Sequence, residues 1–292
     1  MRHTLGNITF EVEDELTDCS NYIHESSDGS AEITFGFDPV HAGSADAAAV
    51  LARAHEHFQG SMGPHLIYSK EATFTRGNGS SVPGVEGEYP EGLLGDRFRY
   101  ALMALTPPHK KVTILYLATS RPDALRLFRQ VLAHTFLLGE PTSESRPVPT
   151  DWARRQANCL LFATPRNWTA PQYLVFRTTG IDLEVLLTEP FVPEGTIDLL
   201  PYLKPDGHEV VTKLKTRPVV AAGVSGWTGD WSIAGGARAP GDETRVRKLS
   251  VRFTNGTTFS AYARCENISL SRLDHVWDTL TQTMRPAIET DG

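Results

Sequence analysis

The chain is poor in cysteine and has no long apolar run. Its three cysteines, Cys19, Cys159 and Cys265, cannot form a closed set of disulfides and none stands in a C-x-x-C, which predicts free thiols in a reducing compartment. The opening Met-Arg-His-Thr-Leu-Gly-Asn lacks the apolar core of a signal peptide, and no run of about 18 apolar residues could span a membrane. We therefore expect a cytoplasmic protein that is not embedded in a membrane.

The chain also has no excess of basic residues. It carries 28 Lys and Arg against 35 Asp and Glu, a formal net charge of −7. The basic runs at 109–111 and 245–248 are short and are interpreted as solvated strand ends. Because binding to phosphates needs a positive surface, a nucleic-acid partner is not predicted.

Motifs that bind nucleotides or carry a serine nucleophile are missing as well. Gly77-Asn78-Gly79 lacks the third glycine of a dinucleotide-binding loop, and no G-x-x-x-x-G-K-[ST] occurs. Gly223-Val224-Ser225-Gly226 is one residue short of the G-x-S-x-G of hydrolases and is better explained as a glycine-rich strand connection. Neither a nucleotide nor another cofactor is predicted.

Candidate metal ligands and acid–base pairs have simpler structural explanations. His55 and His57 are two residues apart on a predicted helix, so their side chains point in different directions. No H-E-x-x-H or Cys/His cluster accompanies them. Glu86 and Glu88 could serve acid–base chemistry, but they fit exposed acids on a strand. We therefore predict no metal site, no catalytic residues and no enzymatic activity.

What the sequence does contain is an internal repeat. Phe10 and Phe162 open the two halves in similar surroundings, 152 positions apart (162 − 10). Each half closes on four apolar residues at helical spacing, and the two sets match at one constant offset of 148 (273 − 125). The first set is Leu125, Phe128, Leu132 and Phe136, and the second is Leu273, Val276, Leu280 and Met284. This match predicts two copies of one ancestral unit.

The order of predicted elements indicates the fold class. Residues 31–37 alternate between apolar and polar, which predicts a strand with one buried face. Apolar residues recur every three to four positions from Ala47 to Phe58 after the N-cap Ser44, which predicts a helix. In the second half a shorter helix is predicted around 197–203, and Asn255-Gly256 predicts a hairpin turn. We therefore predict an α+β fold with mainly antiparallel sheets, helices on one face and function on the other.

The repeat also predicts the domain boundaries. Residues 1–138 form the first copy, 157–286 the second, and 287–292 a tail. Residues 139–156 between them are rich in proline and small polar residues, which is typical of a linker. Because this connection is short, we expect the two copies to pack together as a pseudo-dimer.

Several segments together resemble a known family. In the first half these are the G-x-x-G-like strand at 84–89, the aromatic strand at 98–102, the Ile-Leu-Tyr-Leu-Ala-Thr strand at 114–119 and the closing helix. Residues 165–168, 226–231 and 273–284 repeat the pattern. The chain resembles the DcrB-like family, with its Mog1/PsbP-like α+β fold, and more narrowly the Eag effector chaperones of type VI secretion. Glu13 and Leu16 stand where that family has proline and tryptophan in the opening turn.

The resemblance implies a cytoplasmic, non-enzymatic chaperone or adaptor. Proteins of this kind bind the N-terminal transmembrane segments of a secreted effector before export, so the implied partners are such an effector and a secretion spike protein. Their second and third strands line the groove with residues of the open sheet face. The matching positions here are Asn21, Ile23, Thr34, Tyr173, Val175 and Glu184.

Two questions stay open at the level of sequence. The opposite parity, Tyr22 and His24 with Leu174 and Phe176, is core if the groove assignment is right, but Ile23 and Val175 could themselves be core. The alternative function is an immunity-type or scaffold protein that binds a folded partner. The client, the binding face and the oligomeric state are not determined by the sequence.

Overall fold

The structure is a computed structural model that describes residues 2–6, 8–39, 46–62, 67–91, 96–107, 110–119, 123–140, 147–169, 173–188, 209–221, 223–235, 244–253, 258–266 and 270–286. The N-cap Ser44, the second-half helix near 197–203 and the Asn255-Gly256 turn lie outside these ranges. Two compact units make up the chain: residues 21–171 form one, and residues 1–20 with 172–292 form the other.

The two units contain nineteen described strands and three described helices. In chain order they are β1 (Arg2–Leu5), β2 (Ile8–Glu11), β3 (Thr17–Asp18), β4 (Asn21–Glu25), β5 (Ala31–Pro39), α1 (Ala47–Met62), β6 (Tyr68–Thr75), β7 (Ser81–Glu91), β8 (Asp96–Leu105), β9 (Lys110–Thr119), α2 (Ala124–Leu132), β10 (Phe136–Leu137), β11 (Trp152–Ala157), β12 (Leu160–Pro165), β13 (Tyr173–Thr178), β14 (Ile181–Thr188), β15 (Glu209–Ala221), β16 (Val224–Gly235), β17 (Thr244–Arg252), β18 (Thr258–Glu266), α3 (Leu270–Thr283) and β19 (Arg285–Pro286).

The unit of residues 21–171 is built on a six-stranded antiparallel sheet in the order β4-β5-β9-β8-β7-β6. The alternation in β5 works as predicted, because Ile33, Phe35 and Phe37 are buried on one face of the sheet. On the other face, α1 packs Val50 and Phe58 against the sheet. The predicted apolar stripe of α1 is therefore confirmed.

The two helices of this unit cover opposite faces of the sheet. Phe58 of α1 contacts Tyr100, with ring centroids 4.7 Å apart, whereas Phe128 of α2 stacks on Tyr116 at 5.0 Å. Tyr100 is paired with Leu117, so Tyr100 and Tyr116 point to opposite sides. The predicted α+β class with mainly antiparallel sheets is confirmed, but the expectation that the helices share one face is wrong for this unit. Large apolar side chains on both faces of β8 and β9 explain why both are covered.

A three-stranded sheet, β10-β12-β11, joins α2 on its side of the large sheet. Its central residue Phe162 packs on Phe35 of β5, with ring centroids 4.3 Å apart. One sequence prediction changes here: α2 ends at Leu132, so Phe136 is not on the closing helix. Phe136 instead lies in β10, where it pairs with Leu161 of β12.

The other unit repeats this plan with a seven-stranded sheet, β15-β16-β17-β18-β14-β13-β3, and a small sheet, β1-β2-β19. Phe10 of β2 packs edge-on against Phe176 and Phe259 of the large sheet. The closing helix α3 has a buried apolar side, formed by Leu273, Val276 and Leu280, and Met284 after it is also buried.

The small sheets of the two units have matching registers. In the small sheets, Thr9 of β2 pairs with Arg285, and Leu161 of β12 pairs with Phe136 in the same way. The two opening hairpins are exchanged between the halves of the sequence. Residues 2–11, from the first half, belong to the unit with residues 172–286, and residues 152–165, from the second half, belong to the unit with residues 21–137. The division into copies at 1–138 and 157–286 stays a proposal about ancestry. Each compact unit contains residues from both of these proposed copies.

Among the described residues, no helix combines the length and the apolar character needed to cross a membrane. The cytoplasmic location stays a prediction.

Candidate functional site

The sequence-predicted residues of the first half lie together on the large sheet of residues 21–171. Ile23 is directly opposite Thr34, and Asn21 is two residues before Ile23 on the same face. Ile23 is 44% exposed and Thr34 is half-buried, whereas Tyr22 and His24 are buried on the other face. The exposed parity is therefore the one chosen from the sequence. That it binds a client stays a prediction.

Of the matching residues in the second half, only Val175 is clearly less accessible than its counterpart. Tyr173 is 46% exposed and Glu184 is half-buried, but Val175, directly opposite Glu184, is only 9% exposed. The backbone oxygen of Val175 accepts hydrogen bonds from the Cys19 N–H (2.8 Å) and the Ser20 hydroxyl (3.2 Å). Because residues 17–20 run along the edge of β13, Val175 has far less exposed surface than Ile23.

A cavity of about 630 Å³ lies between α1 and the large sheet, beside the edge strand β4 and its neighbour β5. We call it the sheet groove. Its floor is apolar, with Leu102 and Leu115 of the sheet and Phe58 of α1. Its polar and charged lining residues are Asn21, Thr34, Thr113, Asp38, Lys111, Arg53, His57 and Ser61. Two of the predicted site residues, Asn21 and Thr34, line this groove.

A second cavity of about 400 Å³ lies on the same face, and Ser61 lines both. We call it the acidic–aromatic pocket. Glu25 and Glu32 line it on the side of the edge strands, Tyr89 and Phe98 line the opposite side, and Leu117 lies between them. The sequence did not predict this pocket, because it depends on a strand register that joins residues from five separate strands.

The paired acids of β7 have a structural role. Contrary to the expectation of exposed acids, Glu86 and Glu88 are buried. Glu86 forms ion pairs with Lys70 of β6 (2.8 Å) and Arg129 of α2 (3.6 Å). Glu88 pairs with Arg97 at 3.3 Å. Because buried carboxylates need such compensation, these acids are occupied in packing the sheet.

A similar cluster lies under the closing helix of the other unit. Arg247 of β17 is buried and hydrogen-bonds Asp230 of β16. It also pairs with Asp274 of α3 at 2.8 Å, and its guanidinium lies 5.8 Å from the ring centre of Trp277.

His55 and His57, the two histidines of α1, have separate surroundings. His55 shares hydrogen bonds with Tyr100 (3.1 Å) and Ser69 (3.2 Å), and burial lowers the pKa of His55. His57 lines the sheet groove, so the two side chains point in different directions as predicted. Within the described ranges, no three His, Cys, Asp or Glu side chains gather as a metal site would require.

Comparison with known proteins finds only weak similarity in fold. No protein-family model and no curated protein matches the chain. The apo immunity protein TplEi of the type VI secretion system (T6SS) from Pseudomonas aeruginosa aligns with a TM-score of 0.47 and 11% identity, over 98% of this chain and 97% of that one. A structure of the Tle4–Tli4 complex aligns with a TM-score of 0.42 and 10% identity, over the same shares of 98% and 97%.

One further structure aligns with half of the chain. The alignment with cyanobacterial PsbP (CyanoP) from Synechocystis sp. PCC 6803 covers 50% of this chain and 99% of that one, with a TM-score of 0.31 and 14% identity. Similarity at this level assigns no partner to the chain. The DcrB-like resemblance and the narrower Eag-type one stay predictions.

Proposed function

We propose that this protein is a non-enzymatic binding protein whose sheet groove is part of the docking face for a folded domain of a secreted effector, as in an immunity-type protein. The observation that carries the proposal is the strip of sheet face between α1 and the edge strand β4, where Asn21 and Thr34 line an open cavity beside the exposed Ile23. An apolar floor with a polar rim is the usual anatomy of an interface with a folded partner.

The lining of the groove favours a folded partner over a bare transmembrane segment. Such a segment has about 20 apolar residues and is about 30 Å long, so a shielding protein must cover a wide apolar surface. The groove holds about 630 Å³ and carries Asp38, Arg53 and Lys111. Charged groups facing a lipid-like helix would lose their hydration without gaining partners. A folded domain can instead offer polar groups to them.

The large exposed apolar side chains of the described residues support the same choice. They are only six and are distributed over both units: Ile23, Ile67, Tyr68, Leu138, Tyr173 and Val220. Isolated apolar residues of this kind are ordinary on protein surfaces and do not make a continuous apolar patch. The chaperone function, with its transmembrane client and spike protein, is therefore kept as the competing hypothesis.

The test compares two isoleucines at opposite edges of one sheet. Ile23 on β4 is 44% exposed, and Ile67 next to β6 is 46% exposed. In the full-length protein, Ile23→Asp should weaken binding to the soluble catalytic domain of a co-encoded effector by about tenfold or more, since a charge would be buried at the interface. Ile67→Asp is the matched control and should leave the Kd unchanged. Isothermal titration calorimetry measures both.

The outcomes separate the two functions. Equal affinities of Ile23→Asp and the parent would show that the sheet groove is not the docking face. If the soluble domain does not bind at all, while the chain keeps an effector with its transmembrane segments in solution, the chaperone hypothesis replaces this proposal.

A further inference from the structure

Two carboxylates of the acidic–aromatic pocket face each other across adjacent strands. Glu25 of β4 and Glu32 of β5 are paired in register, so their side chains leave the same face of the sheet at neighbouring positions. Like charges directly opposite each other destabilise a sheet. The pair therefore opposes folding slightly, and its position calls for a compensating cation.

Within the described part of the chain, no cation fulfils that role. The carboxylate of Glu32 accepts one hydrogen bond from the Thr34 hydroxyl (2.8 Å), and neither Glu25 nor Glu32 has an ion pair there. The acids of β7 behave differently, because Glu86 and Glu88 are each matched by basic side chains. The unmatched acids are the ones that line an open cavity.

The opposite wall of the same pocket consists of aromatic rings. Tyr89 and Phe98 are stacked, with ring centroids 5.7 Å apart and an interplanar angle of 23°. Phe98 lies on β8 and Glu32 on β5, with β9 between them, so these two residues are separated across the sheet by two strand spacings, about 10 Å. Glu25 on β4 lies one strand further from the rings. Leu117 of β9 forms the apolar floor between the two walls.

We propose that the acidic–aromatic pocket receives an arginine side chain of the protein partner. Arginine matches this pocket because its guanidinium donors suit the two carboxylates, while its apolar stem can lie over Leu117 on the side of the aromatic rings. Lysine offers a smaller, more strongly hydrated head without the planar fork of donors. The inference rests on the proposed function and adds a specific anchor residue to it.

The experiment uses the full-length protein and a probe that represents the anchor alone. N-acetyl-arginine-methylamide is titrated and followed through the backbone amides of Glu32 and Phe98 by NMR. N-acetyl-citrulline-methylamide, which has nearly the same shape but no charge, is the matched control. We expect millimolar binding of the arginine probe, typical of one side chain, and at least about tenfold weaker binding of citrulline.

Two variants test whether the named acids are responsible. Glu25→Gln/Glu32→Gln keeps the shape of the pocket and should weaken the arginine probe about tenfold or more. Glu71→Gln, an exposed acid of β6, should leave its affinity unchanged. A cooperative urea transition shows that each variant is folded. Glu25→Gln/Glu32→Gln should be no less stable than the parent, because a like-charge pair is removed.

Three results would overturn the proposal. The arginine probe could fail to shift these amides, citrulline could bind as well as arginine, or the double variant could bind the probe as tightly as the parent. None of these results depends on the effector, so each can be distinguished from a failure of the Ile23→Asp test.

Discussion

A buried ion pair holds the end of the first half against the β6–β7 turn and makes a quantitative prediction possible. The guanidinium of Arg76 is buried and donates to both carboxylate oxygens of Glu140, at 3.1 and 2.6 Å. The Asn78 amide and the Leu137 N–H donate to the same carboxylate, at 3.1 and 2.7 Å. We predict that Glu140→Gln destabilises the unit of residues 21–171.

The size of the effect follows from the surroundings of the pair. Removing one partner of a fully buried pair costs about 3–5 kcal/mol, because the other charge is left uncompensated. The Glu140 side chain is 21% exposed, so solvent screens part of this cost, and we expect about 2–3 kcal/mol. Asp182→Asn is the matched control: it breaks the exposed pair with Arg177, at 3.4 Å, and should cost less than about 0.5 kcal/mol.

The effect should also depend on pH. Burial opposes ionisation of Glu140. This effect is outweighed by hydrogen bonds from Arg76, the Leu137 N–H and Asn78 and by the positive charge of Arg76, so the pKa of Glu140 is lowered. A lowered carboxyl pKa stabilises the fold above the ordinary value of 4.5, and this contribution is lost as pH falls below it. The difference between parent and Glu140→Gln should therefore shrink in acid.

Urea unfolding followed by circular dichroism at pH 7 and at pH 3 measures these differences, and hydrogen exchange of the amides at 135–140 shows where the loss occurs. If Glu140→Gln costs no more than Asp182→Asn at pH 7, or if the difference persists undiminished at pH 3, the reasoning about this pair is wrong.

Three further predictions concern stability. Gly60→Ala in α1 should stabilise the protein by about 0.5–1 kcal/mol in urea unfolding, because the added methyl meets no atom within 4 Å and alanine is the better helix former. Gly84→Ala should instead destabilise it by about 1–3 kcal/mol, since its Cβ would lie 2.5 Å from the Phe74 ring and 2.6 Å from the Leu102 oxygen, and equal stability of the two variants would contradict the packing described. Burial, and then the charge of Arg155, lower the pKa of His24 to about 3, although a hydrogen bond with the Thr169 oxygen acts in the opposite direction. The neutral ring therefore contributes its full stability above pH 6.5, and this contribution is lost as pH falls towards 3. His24→Gln should reduce the stability lost between pH 7 and pH 5 by about 2 kcal/mol, and an unchanged loss would show that His24 is not the group that titrates.

Local periodicity was sufficient to predict several elements. The alternation in β5 and the apolar stripe of α1 depend on near neighbours in the chain, and both appear in the structure. The sequence left the parity of β4 open, and the choice of Asn21 and Ile23 as the open side followed the family resemblance; in the structure Tyr22 and His24 form the buried side of this five-residue strand.

Features that depend on distant partners were not predictable. Glu86 looks like an exposed acid in the sequence, and only Lys70 and Arg129, from other elements, explain its burial. Phe136 continues a helical pattern, but pairing with Leu161 draws it into a strand. The acidic–aromatic pocket needs the register of β4, β5, β9 and β8 to be known.

The exchange of opening hairpins has a consequence for a chain that has been cut. A protease that cleaved once between residues 140 and 147 would leave two fragments, and each would supply a β-hairpin to the partner's folded body. Such fragments are interlocked by strand pairing and buried rings rather than by the peptide bond alone. The nicked protein should therefore migrate as one particle in gel filtration and come apart only in denaturant.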